Sequence, residues 1–169
     1  IVDIKEIIQS KNQLSTDLLN KFKRYKCFVF AGNLGEVQSL ETLVNTCKNL
    51  EKYNEFKMVL VGTGSRINWL KEEIKKKKIS NLIIAGPFDL NNMAYIYDLA
   101  DSLIITLNAD SHFSKTIPSK LQTYLASGKP IVGAISGEAG KIIKQSGSGL
   151  VCSSEDEIKL TEIIITMMN

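Results

Sequence analysis

The stretch from Thr116 to Pro130 holds the residue types best suited to chemistry on an anion. Thr116, Ser119 and Lys120 bring two hydroxyls and an ammonium to a helix start marked by Pro118, where the first backbone N–H groups have no partner inside the helix. An apolar face through Leu121, Tyr124 and Leu125 follows, and Gly128 with Pro130 ends the helix ahead of the buried run Ile131 to Ile135. The positive end of the helix dipole and the Lys120 charge act in the same direction, so this loop reads as a diphosphate site.

Other chemistries find little support. His112 is the only histidine and no Gly-x-Ser-x-Gly elbow occurs, which removes the common catalytic triads; Asp110 with His112 is too small a set for a metal, and no metal or other cofactor is expected. The turn Gly62-Thr63-Gly64-Ser65-Arg66-Ile67 has Ile where the third glycine of a dinucleotide fingerprint belongs, and no Gly-Lys-Ser or Gly-Lys-Thr is present. The three cysteines, Cys27, Cys47 and Cys152, are widely spaced in apolar contexts and read as reduced core thiols of a cytoplasmic protein. Net charge is a mild +3, and Lys75 to Lys78 read as a solvated helix end rather than a nucleic-acid patch. No stretch approaches the roughly 20 apolar residues of a membrane span.

The elements that must position the anion loop repeat regularly. Short apolar runs at Cys27–Ala31, Met58–Val61, Leu82–Ala85, Leu103–Leu107, Ile131–Ile135 and Leu150–Cys152 alternate with helical spacing over Gln38 to Leu50, Ile67 to Lys77, Met93 to Ala100, the Pro118 helix, Lys141 to Gln145 and a last helix capped by Ser153 or Ser154. Strands apolar on both faces imply an α/β, doubly wound parallel sheet of about six strands, with ligands beyond the carboxyl ends. Residues 1–25 read as a helical flank and 26–169 as the domain. An opening on Ile1, with no signal-peptide pattern, suggests a piece of a longer chain.

The ordered set Phe30-Ala31-Gly32-Asn33-Leu34-Gly35, Val61-Gly62-Thr63-Gly64, Ile84-Ala85-Gly86-Pro87-Phe88, Tyr97-Asp98-Leu99-Ala100-Asp101, Pro118-Ser119-Lys120-Leu121, Ala126-Ser127-Gly128-Lys129-Pro130 and Gly137-Glu138 resembles the C-terminal donor-binding domain of GT-B glycosyltransferases. It is most similar to family 4, the retaining "group 1" enzymes of bacterial surface polysaccharide synthesis, among them transferases of N-acetylated amino sugars to lipid-linked acceptors. The resemblance implies a UDP-sugar donor, no metal, and a glycan or lipid-linked acceptor held mostly by an N-terminal domain, at the inner face of a membrane. It places Thr116, Ser119, Lys120, Gly32, Asn33 and Gly35 at the diphosphate; Gly86, Pro87, Phe88 and Thr123 at the base and ribose; and His112, Lys115 and Glu138 at the sugar.

Two departures accompany it. The pair of glutamates many members carry around this helix falls on Lys115 and Thr123, and the usual Arg and Lys after the first glycine turn are replaced by residues such as Glu36, Gln38, Ser39 and Glu41. Lys120 is then the main diphosphate cation, with Arg66 and Lys115 as weaker candidates. Half of a nucleotide-sugar epimerase, or a non-enzymatic flavodoxin-like interaction domain, are the alternative readings.

Overall fold

The computed structural model describes residues 14–109 and 117–169. Among them are α1 (Thr16–Arg24), β1 (Lys26–Ala31), a 3₁₀ turn (Glu36–Gln38), α2 (Leu40–Asn49), β2 (Phe56–Val61), α3 (Ile67–Lys77), β3 (Leu82–Gly86), α4 (Leu90–Leu99), β4 (Ser102–Thr106), α5 (Ser119–Ser127), β5 (Ile131–Ala134), α6 (Glu138–Gln145), β6 (Gly149–Cys152) and α7 (Glu157–Met168). All six strands are parallel, in the order β3-β2-β1-β4-β5-β6. The expected doubly wound α/β sheet is therefore present.

Alternation along each strand builds two cores. Phe28 and Phe30 face one side with Met58, Leu60, Ile104 and Val132, covered by Leu43 and Val44 of α2, Leu70 of α3, and Leu160 and Ile164 of α7. Cys27, Val29 and Ala31 face the other with Val59, Leu103 and Ile105, covered by α1, α4, α5 and α6. Leu18 and Phe22 of α1 are both buried there, so the segment before β1 covers part of the sheet. Ser15 caps α1 by accepting from the Leu18 N–H at 3.2 Å.

The β1–β4 pairing is short, with Phe28 opposite Ser102 and Val29 opposite Leu103. Here the strand order reverses, the helix after β1 lies on one face and the helix after β4 on the other, and a crevice opens at the carboxyl ends.

Several boundaries differ from the sequence reading. Helix α2 begins at Leu40 rather than Gln38 because Ser39 adopts a left-handed conformation (φ 49°) after the 3₁₀ turn. Helix α6 begins at Glu138 rather than Lys141, since Gly137 (φ 78°) turns the chain into it earlier. The last helix is capped by Asp156, whose carboxylate accepts from the Lys159 N–H at 2.8 Å. Ser154 is occupied elsewhere, its hydroxyl accepting from the Ser136 N–H and its N–H donating to the Ser136 hydroxyl, both at 3.0 Å. The lysines Lys75 to Lys77 occupy the last turn of α3, as a solvated helix end requires. All three cysteines are free and buried. Of the helical flank read over residues 1–25, residues 1–13 lie outside the described residues.

Candidate functional site

The turns after β1 and β2 form the floor of the crevice. They extend the strand pairing past the strands themselves: the Gly32 N–H donates to Val61 O at 2.9 Å, Leu34 N–H to Thr63 O at 2.9 Å, and Arg66 N–H back to Leu34 O at 3.0 Å. A Cβ on Gly62 (φ 139°) would stand 1.9 Å from Gly32 O, so glycine is required there by both space and conformation. Glycine in these turns thus serves close backbone packing.

Helix α5 closes the opposite wall. Its buried Tyr124 is tied to the end of β1: the phenol accepts from the Ala31 N–H at 2.8 Å and donates to Ala31 O at 3.3 Å. Tyr97 of α4 packs edge-on against Tyr124, with ring centroids 5.7 Å apart. Burial raises the pKa of both phenols, leaving them neutral donors.

These walls enclose a cavity of about 420 Å³. Gly32 and Asn33 meet Ser119, Lys120 and Thr123 across it, and Pro87 and Phe88 form one end. Lys120 starts on the α5 side and reaches across the end of β1 to the other face. Its ammonium stands 3.9 Å from the centroid of the Phe30 ring and donates to Gln38 Oε1 at 2.5 Å. Removal from water lowers its pKa from 10.5 to about 7. Among the described residues the cavity lining contains no carboxylate, and no three His, Cys, Asp or Glu side chains gather anywhere.

Of the sequence-selected residues, Gly32, Asn33, Pro87, Phe88, Ser119, Lys120 and Thr123 line this one cavity. Gly35 is buried beneath the Asn33 side chain, and Gly86 ends β3 with φ 80° next to Pro87. Glu138 lies outside the cavity, exposed at the start of α6 and paired with Lys141 at 2.7 Å. His112, Lys115 and Thr116 lie outside the described residues. Arg66 is engaged elsewhere, with Glu41 Oε1 at 2.5 Å and the Trp69 ring at 4.1 Å. Sequence reasoning left Gln38, Met93 and Tyr97 without a role. Tyr97 opens the Tyr97-Asp98-Leu99-Ala100-Asp101 motif, but a glutamine after a glycine turn gives no signal by itself.

The fold is shared with solved structures. Anabaena HepE in complex with UDP and glucose superposes with a TM-score of 0.75 at 14% identity, over 92% of this chain and 43% of that one. Staphylococcus aureus TarM, in a complex containing UDP, matches with a TM-score of 0.74 at 13% identity, over 86% of this chain and 29% of TarM. The pneumococcal O-GlcNAc transferase GtfA, solved with UDP and GlcNAc, matches with a TM-score of 0.65 at 16% identity, over 86% and 28%. The chain thus spans less than half the length of each. No curated protein sequence matches it. The family model for glycosyl transferases group 1 matches residues 25–169, and the chain belongs to that family.

Proposed function

We propose that this chain is the nucleotide-sugar-binding half of a retaining glycosyltransferase that uses a UDP-sugar. The observation that carries the reading is the meeting of the Gly32 turn, the start of α5 and the Lys120 ammonium in one cavity at the strand-order reversal. Breaking a sugar–diphosphate bond builds negative charge on the leaving phosphate. In this reading the backbone N–H groups at the start of α5, the Ser119 hydroxyl and Lys120 stabilise that charge. In the same reading Thr123, one turn along the helix, serves the ribose, and Pro87 and Phe88, which line the same cavity, serve the base.

The solved relatives carrying UDP support the donor class. The acceptor, a glycan or lipid-linked saccharide of bacterial surface polysaccharide synthesis, is assigned to a further domain, without which this chain binds donor but transfers nothing. An amino-sugar donor and a cytoplasmic site at the membrane's inner face complete the proposal. Among the described residues no helix is long and apolar enough to cross a membrane.

Titration with UDP at millimolar concentration, followed by amide NMR, tests the reading. Shifts at Gly32, Asn33, Ser119, Lys120 and Thr123 are the expected outcome. An unchanged spectrum removes UDP as ligand.

A further inference from the structure

We infer that Gln38 is a positioning residue for Lys120, holding the ammonium at the mouth of the diphosphate site through its side-chain carbonyl. The inference rests on the proposed donor site and adds to it a residue from the opposite side of the sheet.

Gln38 is 8% exposed, and its Oε1 lies 2.5 Å from Lys120 Nζ. The backbone that carries it is fixed from several directions. Thr106 Oγ1 donates to Gln38 O at 2.5 Å, while Asn108 donates its N–H to Val37 O and its Nδ2 to Glu36 O, each at 3.0 Å. The Ser39 hydroxyl is bonded to that of Thr42 at 2.8 Å just beyond. The end of β4 therefore clamps the 3₁₀ turn, and the turn aims one neutral acceptor at the ammonium.

A carboxylate at this place would cancel the charge that an incoming phosphate needs; an amide carbonyl orients it and leaves it uncompensated. The Phe30 ring, 3.9 Å away, and Gly32, where an added Cβ would approach Nζ to 3.3 Å, complete the pen. Among the described residues, Tyr97 is the one other titratable side chain lining the cavity, Tyr124 packs against it, both phenols are kept neutral by burial, and Glu36 of the turn is exposed. Lys120 is thus held for use by a ligand phosphate that replaces or supplements Gln38 Oε1.

Two measurements test this. In ligand-free protein carrying ¹³C-labelled lysine, the Lys120 Cε titration, assigned by its loss in Lys120→Ala, is compared with Gln38→Met. Removing the acceptor disfavours the ammonium, so the midpoint falls by about one pH unit; an unchanged midpoint overturns the proposal whatever the protein binds. For UDP, Gln38→Met weakens binding by about 5- to 20-fold, a loss that disappears in the Lys120→Ala background. Equal loss in both backgrounds makes Gln38 merely structural and leaves the donor site standing, whereas absence of UDP binding by the wild-type chain fails the donor site itself. Gln38→Glu, which keeps the shape and adds charge, raises the midpoint and weakens UDP further; tighter UDP binding by this variant also overturns the proposal.

Discussion

The Tyr124 hydroxyl bonds to both backbone groups of Ala31, accepting from its N–H at 2.8 Å and donating to its C=O at 3.3 Å. The Gly32 N–H points toward β2, so the alternation of a strand aims the Ala31 N–H the other way, toward a β4 whose pairing with β1 stops at Leu103. The phenol takes the place of the missing strand partner. Tyr124→Phe is expected to lower stability by about 1–3 kcal/mol by leaving buried backbone groups unpaired. Urea unfolding checks the magnitude, and UDP binding weakens with it because α5 loses its anchor.

Lys120 makes stability depend on pH. Its pKa is about 7 in the folded chain against 10.5 ordinarily, so between these values the unfolded chain binds the extra proton and stability rises with pH. The slope from this one group is at most about 1.4 kcal/mol per pH unit. Lys120→Met removes that rise, which denaturant curves from pH 6.5 to 10 detect. A bound diphosphate favours the ammonium again, so UDP binding at pH 8 takes up a proton, visible as buffer-dependent heat in calorimetry. The same variant weakens UDP far more than uridine.

Gly62→Ala forces a methyl group toward Gly32 O, which stands 1.9 Å from the built Cβ position, in a conformation that L-residues avoid. Overpacking and backbone strain together cost about 3 kcal/mol or more. Thermal unfolding is expected to move down sharply, with loss of UDP shifts at Gly32 and Asn33.

Arg66→Ala provides a contrasting case. The guanidinium is held by Glu41 and Trp69, so UDP affinity stays within about twofold and stability falls by about 1 kcal/mol or less. Isothermal calorimetry and a melting curve distinguish this from a phosphate contact, which costs tenfold or more.

The strands were legible because parallel sheets bury both faces, so runs such as Phe28-Val29-Phe30 stand out from their surroundings. Helix ends were less so. Ser153 and Ser154 are ordinary capping residues, and only the pairing of Ser136 with Ser154, between the loops after β5 and β6, shows why Asp156 is the cap instead. The cavity was half legible. Glycine turns and the start of α5 announce themselves locally, whereas the Gln38–Lys120 contact joins residues 82 apart in the chain and depends on a clamp from β4. Glu138 reads as a site residue by position, and the structure shows it exposed at the start of α6 with Lys141 beside it, a pairing no local pattern announces.

The buried thiols have a practical consequence. Burial pushes the Cys27 pKa to about 12 and that of Cys152 to about 11, and Cys47 is raised further, so none of the three is a thiolate at neutral pH. A maleimide dye will therefore select a cysteine introduced on the surface. Leu90, 90% exposed at the cavity rim, is a natural attachment point. Leu90→Cys carrying one fluorophore would report occupancy by donor analogues in a plate reader, without deleting the native cysteines.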